Sequence, residues 1–539
     1  MISIFALAAL PFAATFALYY PDERHYTDGA LMMLKQGDWL VPHSADGRPR
    51  FQKPILAYWA VVASWAIFGV NALAARLPFL LASCGTLWLT HRFARKLTGS
   101  DRTALLAAVI LASNPQFFLC SIRSMPDALL VFFATLSASG FLRLIVFQEF
   151  TPGAFWMAYG GAAGAGASKG LLAVAWVAFA WAFVFWKRRD WPAVKRLLHL
   201  PSLVTSAVLA ASWYVSVLCL QGRSALDVFF GDQITGNVHG HFWSPLVRMP
   251  LFALTVAVNF LPWSAAIGEL FARKRIAAVE GARARAQHFI LLWTALLVIG
   301  LAFGENVSLR YLLPVTPLLS VVFAGWLQNE EPGLIFSVGR MFKAALGLLL
   351  VLAAAAIAVG CEWRPPVFLP ALMGGLLVLG MLLAGTLARR KTQLSGPEAL
   401  GLALILGWPV FFMAAMPVLL PDRAQQIAAV LRDETKNQAG PVLLVGDVKL
   451  ASRLRVLLGR DWTVAQTDRL NPPDAGHYER VLIPERDAGA FFNRGWKIQT
   501  AAVSFGVPPR AEWWNDLKSG EWPAVLARRG QKMFLATPE

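Results

Sequence analysis

Two adjacent carboxylates open the first polar stretch of this chain, in the run Pro21-Asp22-Glu23-Arg24-His25-Tyr26. They follow directly on an apolar run from Ile2 to Tyr20. Charge at such an edge is costly when desolvated, so it asks for a reason. Acids are favoured in the first turn of a helix by its unpaired amides, and that bland account competes with proton-transfer chemistry. Lys53 stands in Phe51-Gln52-Lys53-Pro54, just ahead of an apolar stretch at 54–70. A lysine there can snorkel to lipid headgroups or clamp the phosphate of a bound molecule. A further acid, Asp127, lies in Ser124-Met125-Pro126-Asp127. Folded back toward Asp22, it would make a carboxylate pair suited to acid–base work or to a cation.

The elements that carry these residues are apolar runs of bilayer length. The chain has 539 residues, 57% hydrophobic and only 15% charged, with mean hydropathy +0.53. Soluble domains hold fewer apolar and more charged residues, which excludes a soluble globular protein. A span needs roughly 20 mainly apolar residues. Runs at 2–20, 74–94, 103–121, 127–147, 154–168, 170–186, 199–220, 249–270, 287–304, 311–327, 341–360, 366–388 and 398–420 meet that need, about 13 spans in all. The first run lacks a charged leader and a small-residue cleavage site, so it is expected to be retained as a span. The four cysteines, Cys84, Cys120, Cys219 and Cys361, form no C-x-x-C pair, and zinc or redox motifs are absent.

Net charge is +17, but the cations come in bursts between spans: Arg92-Arg95-Lys96, Lys187-Arg188-Arg189, Arg273-Lys274-Arg275 with Arg283-Arg285, and Arg389-Arg390-Lys391. This is the positive-inside pattern, not a basic stripe for nucleic acid. All four bursts fall on one side only if 54–70 lies in the interface instead of crossing, and Tyr58, Trp59 and Trp65 suit a helix at headgroup level. The N-terminus is then cytoplasmic. The loops 21–73 and 221–248 and the tail 421–539 face outward. A transmembrane region over 1–420 is thus expected to precede a small periplasmic α/β domain over 421–539, with helices at 422–437 and 449–459 and strands at 441–448 and 480–484.

The ordered series P-D-E, G-D-W-L-V-P, K-P, Y-W, F-G-x-N and A-R-L-P over 21–78, then P-D at 126–127 and S-K-G at 168–170, resembles the bacterial polyprenyl-phosphate-sugar transferases of the GT-C fold. The lipid A aminoarabinose transferases are similar in pattern, and the protein O-mannosyltransferases are more distant. The likeness is dense over 21–170 and thinner through His239-Gly240-His241, Phe260-Leu261-Pro262-Trp263 and Arg310-Tyr311-Leu312-Leu313-Pro314. It implies a polytopic α-helical glycosyltransferase of the bacterial inner membrane, expected to be a monomer. The donor would be a sugar on polyprenyl phosphate, most simply undecaprenyl phosphate. The acceptor would be lipid A, another envelope glycan or a protein.

By the same resemblance, Asp22 matches the catalytic acid, Asp127 the second acid, and Lys53 the lysine on the carrier phosphate, with Arg24 and Arg310 as helpers. Glu23, Tyr26, Tyr58, Lys169 and one of His239 or His241 join the site. In the aminoarabinose enzymes a loop histidine and the glutamate of E-K-P hold a metal. This chain has Gln52 in place of that glutamate. His239, His241 and Gln52 are therefore the metal candidates, and weak or no binding of a divalent ion is expected, since an amide is a poor ligand for a hard dication. Arg24 and His25 also stand where that pattern has arginine nearer to the tyrosine. The competing class is a transporter or flippase of lipid-linked sugars, which would place ionisable groups at mid-membrane instead of outside.

Overall fold

The computed structural model describes residues 1–15, 22–170, 172–223, 244–261, 263–272, 280–304, 308–327, 401, 404–405, 423–434, 438–446, 448–467, 478–492, 496–505 and 530–538. Helix α1 (Ile2–Thr15) is followed by α2 (Asp22–Gln36), α3 (Leu56–Phe68) and α4 (Ala72–Thr98). α5 (Asp101–Ala112), α6 (Pro115–Ser121) and α7 (Pro126–Ile145) complete the first half of the bundle. Among the described residues, five helices are long and apolar enough to cross a bilayer, or six if the bent pair α5–α6 is one span.

Three of the expected spans are not straight helices. The run 103–121 breaks at Asn114, where α5 and α6 meet at 73°. Asn114 Oδ1 accepts from the amides of Gln116 and Phe117, each at 3.0 Å. The following Pro115 disfavours a helical residue before it, so Asn-Pro ends one helix and caps the next. The run 249–270 is likewise two helices, Ser244–Asn259 and Trp263–Ala272, with Pro262 lying between them in the sequence. The run 311–327 starts as a 3₁₀ turn, Leu309–Val315, before the helix Thr316–Leu327. The spans expected at 341–360 and 366–388, and nearly all of 398–420, lie outside the described residues. The stretch 54–70 gives only the 13-residue α3, shorter than a span requires.

Local chemistry explains several of the motifs. The F-G-x-N run at 68–71 is a joint: Gly69 adopts φ +74°, and Asn71 Oδ1 accepts from the Ala74 amide at 2.8 Å to start α4. Trp65 Nε1 donates to the Asn71 carbonyl at 2.9 Å and locks the joint. In the G-D-W-L-V-P run, Asp38 Oδ1 accepts from the amides of Leu40 and Val41, each at 3.1 Å, turning the chain after α2.

The described tail is α/β. A five-stranded sheet has the order β2-β1-β3-β5-β4, with β1 (Pro441–Val445), β2 (Thr463–Thr467), β3 (Val481–Pro484), β4 (Trp496–Phe505) and β5 (Gly530–Pro538). β1 pairs in parallel with β2 and β3, while β5 is antiparallel to both β3 and β4. Helices Arg423–Glu434 and Val448–Leu458 pack on this sheet around Leu431, Val442, Leu444 and Leu454.

The tail docks on α2. Asp28 and Lys35 are seven residues apart, two turns of one helix face. Asp28 Oδ2 accepts from Arg455 at 2.9 Å, with both side chains about nine-tenths buried. Lys35 Nζ donates to the Trp462 carbonyl at 2.8 Å. The element that carries Asp22 is thereby held from behind by a segment more than 400 residues away in sequence.

Candidate functional site

The site lies where the ends of α2, α4, α7, the helix Gly161–Lys169 (α8) and the 3₁₀ turn Leu309–Val315 converge. α7 and the helical segment before Lys169 pack almost backbone to backbone. A Cβ placed on Gly140 would stand 2.2 Å from the Ala158 nitrogen, and one on Gly161 would stand 2.5 Å from the Ser137 nitrogen. Small residues at such positions are the usual means of drawing two membrane helices together. The result sets Asp127 at the start of α7 against Lys169 at the end of α8, with Lys169 Nζ 2.5 Å from Asp127 Oδ1.

Arg310 ties the second acid to the first. Its Nη1 donates to Asp22 Oδ2 at 2.7 Å, and its Nε lies 3.9 Å from Asp127 Oδ2. Asp22 and Asp127, whose proximity the sequence left open, are thus joined through one guanidinium. Tyr311, the next residue, lies under Lys169, with Nζ 3.9 Å from the ring centroid. Asp127 is buried, whereas a third of the Asp22 side chain is exposed. Burial pushes the Asp22 carboxyl up, but the hydrogen bond and charge of Arg310, with His25 and Lys169, outweigh it and hold Asp22 below the usual carboxylate range.

Cations crowd this pair. Lys53 is within electrostatic reach of Lys169, Arg50 and Arg310. Burial first, and those three charges next, lower it to about 8, against the opposing pull of Asp127. Arg24 and Arg50 act similarly on His25, which burial and those two charges lower to about 3. His25 is therefore neutral near pH 7. Around Asp22 and Asp127 the described residues place Arg24, Arg50, Lys53, Lys169 and Arg310, an excess of positive charge over carboxylate.

Glu23 does something different from its neighbour. Both it and Arg76 are fully buried. Its carboxylate accepts from Arg76 Nε at 2.7 Å, Arg76 Nη2 at 3.0 Å, and the Ser124 amide and hydroxyl at 2.9 and 3.1 Å. Arg76 also donates to the Ala13 carbonyl at 3.2 Å. Glu23 is a pin that fastens α2 to α1, α4 and the turn leading to Asp127, and it presents no oxygen outward. Tyr26 and Tyr58 are buried with ring centroids 5.1 Å apart. Tyr58 lies on Gly29, where a Cβ would stand 2.6 Å from its ring. They form the floor under the site.

Gln52 Oε1 is buried and meets no hydrogen-bond donor among the described residues. His239 and His241 lie outside those residues. Among the described residues no three His, Cys, Asp or Glu side chains stand together as a metal site. Arg50, Arg76, Ser124 and Tyr311 were not singled out from the sequence as functional. Arg76 did carry a signal, because an arginine at the start of a long apolar helix requires a partner.

Residues 1–222 match the family described as dolichyl-phosphate-mannose-protein mannosyltransferase. The chain is 27% identical over 354 residues to an uncharacterized protein of Aquifex aeolicus, covering 65% of this chain and 67% of that one. It is 27% identical over 427 residues to the undecaprenyl phosphate-alpha-4-amino-4-deoxy-L-arabinose arabinosyl transferase of Pseudomonas aeruginosa strain LESB58, covering 76% and 73%. Among solved structures, ArnT from Cupriavidus metallidurans bound to undecaprenyl phosphate is similar with a TM-score of 0.71 at 16% identity, covering 93% of this chain and 95% of that one. Its apo state is similar with a TM-score of 0.70 at 16% identity, covering 99% and 96%. The chain is a helical membrane protein with that GT-C fold.

Proposed function

We propose that this chain is an integral-membrane glycosyltransferase that moves a sugar from a polyprenyl-phosphate carrier, undecaprenyl phosphate, to lipid A or another envelope glycan on the periplasmic face. The observation that carries this reading is the excess of cations around two joined carboxylates at one end of an apolar bundle. A lipid phosphate is attracted by such a cluster of cations, and the apolar helices supply a place for its isoprenoid chain. Relatives named for undecaprenyl-phosphate-linked donors support the same choice of carrier.

In the reaction, the bond between the anomeric carbon and the carrier-phosphate oxygen breaks while an acceptor oxygen bonds to that carbon from the opposite face. The electron pair leaves with the phosphate. Lys53 with Arg24, Arg50 and Arg310 neutralises the departing phosphate. Lys169 is held by Asp127 and Tyr311, so its role is to keep Asp127 and Arg310 in register. Asp22, ionised by its contact with Arg310, is a weak base. That suits an acceptor oxygen already carrying charge, such as a phosphate of lipid A, where it orients the nucleophile and balances the oxocarbenium-like centre. For a hydroxyl acceptor it takes the proton.

The sidedness follows from charge. Arg92, Arg95, Lys96, Arg143, Arg283 and Arg285 gather at the end of the bundle opposite Asp22, which makes that end cytoplasmic. The tail 421–539, docked on α2, then lies in the periplasm as a separate α/β domain, with α3 at the interface. Mass spectrometry of lipid A and surface glycans from a strain lacking the chain, beside its parent, tests the reading. One sugar modification should vanish and return with the intact gene. An unchanged set of glycans would remove the proposed acceptor class.

A further inference from the structure

The end of the bundle opposite the carboxylates holds a cavity of about 1180 Å³. Its apolar wall includes Ile2, Leu87, Phe93 and Leu105, from α1, α4 and α5. Its mouth carries Arg92, Arg95, Lys96 and Arg143. Arg95 pairs with Asp101 at 2.8 Å, and Lys96 and Arg143 share Glu149. Arg92 stacks over Trp88, 4.9 Å from the ring, and meets no carboxylate among the described residues. Four cations thus face two carboxylates there, and positive charge is left over.

A second observation comes from inside the cavity. Ser139 of α7 lines it, is only 4% exposed, and its Oγ has no hydrogen-bond partner among the described residues. Several buried hydroxyls in these helices return to the carbonyl four residues back, Ser83 to Phe79, Thr90 to Thr86 and Thr135 to Val131, while Ser137 donates to Ala158 and Thr103 has no hydrogen-bond partner among the described residues. Ser139 does not return to such a carbonyl, and a buried polar group left unpaired needs a ligand or water to satisfy it. It lies one helical turn inward from Arg143, between the basic mouth and the apolar wall.

We propose that this cavity is a binding site for one anionic glycerophospholipid of the leaflet opposite the active site. The lipid phosphate lies among Arg92, Arg95 and Arg143, its glycerol oxygens reach Ser139, and an acyl chain lies along Leu87 and Leu105. The apolar wall distinguishes this occupant from a free phosphate, which would use the mouth alone. The site rests on the membrane reading of the fold and not on the transfer reaction.

The test uses the full chain purified in mild detergent, native mass spectrometry, and phosphatidylglycerol, phosphatidylcholine or inorganic phosphate as probes. The protein should retain one tightly held phosphatidylglycerol, discriminate against phosphatidylcholine, and keep the lipid in millimolar inorganic phosphate. Arg92→Gln with Arg95→Gln should weaken retention about thirtyfold and Arg92→Gln alone about fivefold, whereas Arg92→Lys keeps it. Ser139→Ala, which leaves every charge in place, should also weaken it several-fold. Thermal unfolding of each variant reports whether the fold survives. Equal retention by wild type and the folded Arg92→Gln variant, or equal retention of both lipids, overturns the proposal. Displacement by inorganic phosphate also overturns it and leaves a small-anion site.

Discussion

Glu23→Gln separates structure from chemistry at two adjacent acids. The substitution keeps the shape of the side chain but removes its charge. It also replaces one acceptor oxygen with an NH₂ donor. Among the described residues the carboxylate accepts four hydrogen bonds, two from Arg76 and two from Ser124. An amide cannot accept all four, so its NH₂ must face a donor on one side. Arg76 is fully buried and keeps its charge. Leaving one partner of a buried ion pair uncompensated costs about 3–5 kcal/mol, a factor of roughly 10²–10⁴ in the folded equilibrium. Thermal unfolding in detergent should fall steeply, while the fraction that stays folded turns over within a few-fold of wild type, because Asp22 keeps Arg310. Arg76→Met should be similarly harmful. The double variant should recover part of the loss, with a coupling of about 1–3 kcal/mol in the cycle. Wild-type unfolding of Glu23→Gln with abolished transfer would refute the reasoning and make Glu23 a reacting group.

Asp22→Asn should lower turnover by roughly 10²–10⁴ with donor affinity retained; near-normal turnover in purified protein would return Asp22 to a capping role. Lys53, held at about 8 by burial and by Lys169, Arg50 and Arg310, loses its charge as pH rises through that value. Carrier phosphate binds the protonated form, so donor affinity measured by calorimetry should weaken above about pH 8, and Lys53→Arg should abolish that dependence because arginine stays charged. An affinity flat to pH 10 in the wild type would count against the contact. Gln52 offers an amide where a carboxylate would hold a dication, so chelators should leave activity little changed. Elemental analysis finding about one tightly held zinc per chain would show otherwise.

The membrane character was legible in the sequence because runs of bilayer length leave local marks. The break at Asn114-Pro115 was written there too, but a continuous apolar run hid it. In the tail, the apolar strand Pro441–Val445 stood out. β2, Thr463–Thr467, did not, because its polar residues follow no clean alternation. Long-range pairing was the least readable level. Asp22 meets Arg310 from 288 positions away, and Glu23 meets Arg76 and Ser124 from 53 and 101. Nothing in the dipeptide Asp22-Glu23 says which acid turns outward and which is buried. Helix geometry decides it, since neighbouring residues project about 100° apart.

The central claim is that the carrier–sugar bond is broken at Asp22, and the most direct measurement follows the carrier. Purified chain is reconstituted into vesicles loaded with an undecaprenyl-phosphate-linked sugar, lipid A is supplied, and free undecaprenyl phosphate is quantified by chromatography. The account predicts that free carrier and glycosylated lipid A appear in equal amounts with the wild type, and that both fall together by roughly 10²–10⁴ with Asp22→Asn. Movement of intact lipid-linked sugar across the vesicle membrane, with no free carrier released, would contradict it and identify a transporter.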